Sequence, residues 1–371
     1  MTSYLQISMI RRLCAVLSIP LLLAGAACNE PGDSAEEPGG DPSPSPSSEQ
    51  PTEPEQLIYV DGTTLKSFSL ADLEDGEIRS LPSADIDLAP DGRRYAVVRE
   101  TASGEPDPDA FRQPEIVVGS LDGGRATRLG PGRSPMWSPD SSLIAAPVPA
   151  GARVECPAGL EGDAEGMCSP EKVVAYDPES GPPGTNLLGT EPRWFLLGWS
   201  DNQVVGIDAR GEMAAAAPGE DPLSFIGLSS TEVWDVSPTE RRFVTVIGTS
   251  DAQVTDFDAQ ILHKIDLEGA RLGAGEWSPD GSRVAAVFLN TSETPMVARL
   301  GVIDASSGAV EFVPGEVTAQ GQVVWGVDGS FAYVGTDTND PGLLQAILCS
   351  PELDCEPLFA WTEGIRLLGL V

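Results

Sequence analysis

The chain has 371 residues, 41% apolar and 21% charged, so it can bury a large core and is too apolar to be disordered throughout. Its 22 Lys and Arg stand against 57 Asp and Glu, a net charge of -35 that repels phosphate backbones and anionic headgroups and excludes nucleic acid as a partner. The one histidine, His263, removes most histidine-based acid-base and metal chemistry.

Arg11 and Arg12 precede an apolar stretch, Leu13 to Ala27. It is shorter than the roughly 20 residues a membrane span needs and has the shape of a secretory signal peptide. It ends Leu23-Ala24-Gly25-Ala26-Ala27-Cys28, which resembles the lipobox of bacterial lipoproteins. Small residues precede the cysteine as in that family, while Gly25 stands where an aliphatic residue is usual. The resemblance implies that residues 1–27 are removed and that Cys28 is lipidated. The protein is then exported and lipid-anchored to the outer face of the cell membrane; without the lipid it is periplasmic or extracellular. Asn29 to Glu55 holds seven prolines, eight acids and no basic residue, a composition that predicts a disordered, self-repelling tether over residues 28–55.

From residue 56 onward a turn motif recurs: Leu88-Ala89-Pro90-Asp91-Gly92, Trp137-Ser138-Pro139-Asp140, Trp199-Ser200-Asp201-Asn202, Val236-Ser237-Pro238-Thr239, Trp277-Ser278-Pro279-Asp280-Gly281 and Trp325-Gly326-Val327-Asp328-Gly329. The steps between first positions are 49, 62, 37, 41 and 48 residues. A period in the forties marks a propeller or an array. Each motif sits between two short apolar runs, which reads as strand, tight turn, strand, and further turn residues separate a third and a fourth strand. Four antiparallel strands per repeat make the blade of a β-propeller. The W-S-P-D-G turn resembles the WD40-like repeats of TolB-type propellers, over residues 56–371 and without that family's N-terminal domain.

Six motifs give six blades, and both ends leave strands over. Leu57 to Val60, Thr64 to Leu70 and Glu77 to Leu81 lack an innermost partner, and Ile365 to Val371 supplies one. The fold class expected is therefore all-β, a propeller of seven four-stranded blades closed by both chain ends, at about 45 residues per blade; six or eight blades are the alternatives. The tryptophans are expected to pack between blades.

This strand order puts the short Pro-Asp-Gly turns on one face and the long insertions on the other: residues 100–113, 148–171, 249–258, 290–297 and 336–342. Long loops on a rigid scaffold are where binding usually resides. The candidates there are the acids Glu105, Asp107, Asp109, Glu161, Asp163 and Glu165, with Phe111 and Met167 as apolar anchors. Four cysteines remain in the mature domain, and they allow three connectivities. Each of Cys156 with Cys168 and Cys349 with Cys355 brackets a short polar loop, which favours local disulfides in an oxidising compartment.

No G-x-S-x-G motif occurs, and His263 reads as a residue of a third strand. The Asp337–Gly342 stretch departs from an EF-hand, because Leu348 stands where a calcium loop needs Glu. Aligning the innermost strands places Asp87, Met136, Gly198, Asp235, Glu276 and Val324 at one level. Asp87, Asp235 and Glu276 are then candidate ligands for a cation such as Ca2+ in the central channel, with water or backbone amides as the competing partners. No other cofactor is expected. The first functional expectation is a monomeric, non-enzymatic propeller that binds a protein, peptide or envelope polymer through its long-loop face. The alternative is a hydrolase or lyase with a carboxylate or metal-assisted site in the propeller funnel.

Overall fold

The computed structural model describes residues 54–100, 114–156, 167–225, 233–247, 251–290, 297–314, 317, 322–336, 344–360 and 365–371. The first three strands are β1 (Gln56–Asp61), β2 (Thr64–Ser69) and β3 (Asp75–Ser80). Blade 1 holds β4 (Ile86–Leu88), β5 (Arg94–Glu100), β6 (Pro114–Ser120) and β7 (Thr127–Pro131). Blade 2 begins with β8 (Met136–Trp137) and β9 (Ile144–Pro149). It is interrupted by a two-stranded hairpin of β10 (Val154–Glu155) and β11 (Met167–Cys168), then resumes with β12 (Glu171–Asp177) and β13 (Gly181–Glu191). Blade 3 is β14 (Trp194–Ser200), β15 (Gln203–Asp208), β16 (Met213–Ala216) and β17 (Leu223–Phe225). Blade 4 is β18 (Val233–Val236), β19 (Arg242–Ile247), β20 (Asp251–Asp256) and β21 (Ile261–Ile265). Blade 5 is β22 (Arg271–Trp277), β23 (Arg283–Asn290), β24 (Val297–Asp304) and β25 (Val310–Phe312). Blade 6 is β26 (Val323–Trp325), β27 (Phe331–Thr336), β28 (Leu344–Cys349) and β29 (Cys355–Ala360). The last strand, β30 (Ile365–Leu370), pairs antiparallel with β1, so blade 7 runs β30-β1-β2-β3 and closes the ring with both chain ends.

Seven four-stranded sheets thus make a seven-bladed all-β propeller, with no helix among the described residues. The second and third strands of a blade read as unbroken apolar runs, such as Ala285, Ala286, Val287 and Phe288 of β23, because each blade is covered on both faces. Period-2 alternation then divides one strand between two neighbours. Val284, Ala286 and Phe288 pack towards blade 4 with Val244, Val254 and Trp277, while Ala285 and Val287 pack towards blade 6 with Trp325, Phe331 and Tyr333. One such cluster fills each of the seven junctions, and the last, with Ile58 and Val60 against Ile86 and Val97, joins blade 7 to blade 1. Outer strands such as β3 are largely exposed.

The repeated turns cross-link their face. In blade 2 Asp140 accepts from Ser138 Oγ, Ser142 N and Ser142 Oγ; in blade 5 Asp280 does the same with Ser278 and Ser282. Burial opposes ionisation of both acids, but these donors hold each below the usual carboxylate range. An arginine that begins the second strand then reaches the next blade. Arg94 donates to Ser141 O and lies 4.9 Å from the Trp137 ring centroid; Arg283 donates to Gly329 O and lies 5.4 Å from that of Trp325.

Both disulfides pair locally. Cys349–Cys355 joins β28 to β29 at their turn, and Cys156–Cys168 closes the hairpin inserted in blade 2. One loop is corrected: most of 249–258 is strand β20, paired with β19 from Arg242↔Asp256 to Ile247↔Asp251. His263 consequently moves from the expected third strand to the outermost strand, β21, opposite Val254.

Candidate functional site

The innermost strands β4, β8, β14, β18, β22, β26 and β30 surround the channel, and each presents there an edge with no further strand to pair it. Two kinds of link between neighbouring blades satisfy part of this edge. Where aspartate precedes the packed position, its carboxylate reaches the next blade. Asp87 Oδ2 accepts from Trp137 N at 2.8 Å, and Asp235 Oδ2 accepts from Trp277 N at 3.0 Å while its Oδ1 accepts from Val236 N at 2.8 Å. Elsewhere the indole makes the link: Trp199 Nε1 donates to Met136 O, and Trp325 Nε1 to Glu276 O, both at 3.1 Å. The two schemes exclude each other, since the indole nitrogens of Trp137 and Trp277, beside the two aspartates, are buried without a partner. The tryptophans are otherwise packing residues, as expected, with five of them buried between blades.

Glu276 differs from the two aspartates. Its carboxylate has no hydrogen-bond partner among the described residues, and it opens onto the channel. Although the side chain opens onto the channel, the protein packed around it removes much of the bulk water that would stabilise its charge; this desolvation pushes Glu276 well above the usual carboxylate range, and the neighbouring Asp235 and Asp87 push the same way. Burial raises Asp87 to about 6, against its amide bonds and the Arg366 guanidinium, and raises Asp235 to about 7 against its two amide bonds. Of the three carboxylates at the aligned level, Glu276 thus senses both of the others across the channel. Among the described residues no three His, Cys, Asp or Glu side chains are grouped closely enough to hold a metal ion.

A cavity of about 270 Å³ opens beside them. Asp87, Glu276, Gln322 and Arg366 line it between apolar walls that include Ile86, Val324 and Leu367. Arg366, near the start of β30, donates through Nη2 to Ala84 O and Ile86 O at 2.8 Å each. Gln322 Oε1 accepts from Leu367 N at 3.0 Å. Sequence reasoning missed both residues. An available signal was that basic residues begin or precede several innermost strands, namely Arg133, Arg193, Arg271 and Arg366, in a chain with only 22 of them.

Of the long-loop candidates, Glu105, Asp107, Asp109, Phe111, Glu161, Asp163 and Glu165 lie outside the described residues, as does Cys28. Met167 is half-buried in β11, opposite Glu155.

No protein-family model matches the chain, and no curated protein does either. Solved structures do match in fold. An acylaminoacyl peptidase of Pyrococcus horikoshii superposes with a TM-score of 0.54 at 13% identity, covering 82% of this chain and 52% of that one. Prolyl oligopeptidase B of Galerina marginata, bound to a 25mer macrocyclization substrate, gives 0.57 at 9% identity, covering 84% and 49%. The chain thus spans about half the length of these structures, and at such identities the likeness is one of fold. The expectation of a non-enzymatic binding propeller is corrected on this point: the solved structures that share the fold are of proteins named as peptidases.

The raised carboxylates make a prediction about stability. The folded form keeps the Asp235 proton up to about pH 7, whereas the unfolded chain releases it near the ordinary value of 3.8. Folding therefore takes up a proton between these values, and the group's contribution to stability is lost as pH rises through that window. Asp235→Asn cannot ionise. Its stability relative to wild type should improve by on the order of 3 kcal/mol from pH 4 to pH 8 in denaturant unfolding. A relative stability that does not change with pH would contradict the burial of this charge.

Proposed function

We propose that the propeller is a peptide hydrolase that works in its channel, with Glu276 as general acid and Asp87 as general base. The observation that carries the reading is the neighbouring pair of unequal carboxylates in the channel: one unpartnered and pushed well above the usual carboxylate range, the other raised only to about 6. Environments that push two titrating groups apart assign the acid and the base. Asp87 takes a proton from water as the oxygen attacks the amide carbonyl carbon. The carbon–nitrogen bond then breaks, and Glu276 delivers its proton to the leaving nitrogen. Protons return through channel water to restore both groups. The guanidinium of Arg366, on the same cavity, compensates negative charge on the carbonyl oxygen. The peptidase neighbours support the substrate class. A serine triad is not an option within the described chain, because His263 sits on an outermost strand.

A second reading has the propeller serving a catalytic unit elsewhere, and the half-length coverage of the peptidases favours it. One assay separates the two. Purified full chain incubated with free and N-acetylated short peptides, followed by mass spectrometry, should show cleavage, and Glu276→Gln should reduce its rate by about 100-fold or more. Wild-type protein that cleaves nothing would overturn the carboxylate mechanism and leave the second reading.

The lipobox-like ending, the acidic tether and the W-S-P-D-G repeat support an exported lipoprotein with a TolB-type propeller. Two disulfides are in keeping with an oxidising compartment. In this reading Cys28 carries the anchor, and Cys28→Ser should move the protein from the membrane fraction to the soluble or secreted fraction. Retention of the variant in the membrane fraction would contradict the anchor.

A further inference from the structure

The arginines that begin or precede innermost strands do two different jobs. Arg133 and Arg366 lie four residues before the packed Trp137 and Leu370, and each donates through Nη2 to a backbone carbonyl of the next blade, Trp194 O or Ile86 O. Arg193 lies six residues before Trp199 and makes no such link: its guanidinium has no hydrogen bond and no ion pair among the described residues. The acids on the adjoining strand ends are taken. Glu171 accepts from Arg133 at 2.7 and 2.6 Å and from Trp194 N at 3.0 Å, while Asp208 and Glu191 pair with Arg210 at 2.9 and 2.8 Å. Burial pushes the Arg193 guanidinium below its usual value, and the Arg133 charge adds to this against the more distant pull of Glu171. A half-buried cation is thus left without a carboxylate in a chain with 57 acids for 22 basic residues.

Residues two apart on a strand share a face, so Arg193 and Phe195 point the same way, opposite to Trp194, which is buried between blades 2 and 3. The guanidinium lies 5.1 Å from the Phe195 ring centroid, and Phe195 is 37% exposed. Arg241 on Phe257 and Arg299 on Phe312 differ, because those two rings pack into the junction clusters. A flat cation with unused donors beside an exposed ring is complementary to a carboxylate attached to an aromatic group. One unpaired cation in a chain of net charge -35 balances one negative charge rather than the two of a phosphate.

We propose that Arg193 and Phe195 form a binding site for a monocarboxylate borne on an aromatic body, with the carboxylate on the guanidinium and the ligand's ring against Phe195. The site stands apart from the hydrolase reading, since its residues belong to blade 3 whereas Asp87 and Glu276 belong to blades 1 and 5.

Calorimetric titration of the full chain at pH 7 with N-acetylphenylalanine, its C-terminal amide and acetate tests the site without any substitution. N-acetylphenylalanine should bind, and the amide and acetate should each bind about tenfold more weakly or worse. Arg193→Gln should remove the preference for the acid over the amide, and Phe195→Ala the preference for N-acetylphenylalanine over acetate. Arg271 lies six residues before Trp277, is exposed and has no partner among the described residues, so Arg271→Gln changes the net charge by the same amount and should bind as the wild type does. No heat with N-acetylphenylalanine, an affinity matched by its amide or by acetate, or the same loss in Arg193→Gln and Arg271→Gln would overturn the proposal.

Discussion

The pairing of β30 with β1 ties the last seven residues of the chain to the first described ones, and the propeller depends on it. Val371 O accepts from the amides of Glu55 and Gln56 at 2.8 and 2.9 Å, and Val371 N donates to Gln56 O at 2.9 Å. With this pairing in place, blade 7 gains an innermost strand and every blade face finds a neighbour to cover it. Without it, two apolar faces and an unpaired edge would meet water. Closure also places Arg366, a residue of the last strand, against the carbonyls of Ala84 and Ile86 at the start of blade 1. One contact therefore both completes the ring and supplies the cation of the channel.

Closure creates the channel's chemistry as a by-product. Seven innermost edges facing a narrow axis leave peptide groups that no further strand can pair. The chain answers with carboxylates at Asp87 and Asp235 and with indoles at Trp199 and Trp325. The carboxylate solution carries a cost, because it confines like charges and leaves the indoles of Trp137 and Trp277 unpartnered. Glu276 stands outside both schemes. Its backbone carbonyl is used by Trp325, and its side chain holds nothing together in the described structure. A charge-bearing group under electrostatic strain with no structural employment is the pattern of a functional residue.

The blade architecture was legible because its signals are local. Pro-Asp-Gly and Ser-Pro-Asp turns fix a hairpin through a few side-chain bonds, as Asp140 and Asp280 do, and the tryptophan beside them marks a packed junction. The aligned level of Asp87, Asp235 and Glu276 followed from counting back one residue from the first position of each turn motif, Leu88, Val236 and Trp277. The strand Asp251–Asp256 was read as loop because acids stand at both its ends and a Gln interrupts its apolar centre; pairing on both sides by β19 and β21 overrides its weak pattern. Arg366 and Gln322 could not be found this way. Their roles depend on the circular closure that brings blade 7 and blade 6 to the same cavity, a juxtaposition spread across 280 residues in the case of Arg366 and Ile86. The expectation of a binding protein was drawn from loop placement on the fold, and fold does not determine function.

The channel pushes the Glu276 carboxyl well above the usual carboxylate range. Infrared difference spectroscopy of the full chain, wild type minus Glu276→Gln, followed over a pH series, reads this directly. The carboxylic-acid C=O band that the substitution removes should persist to higher pH than that of an ordinary glutamate. Loss of the band at the ordinary glutamate value would contradict the account.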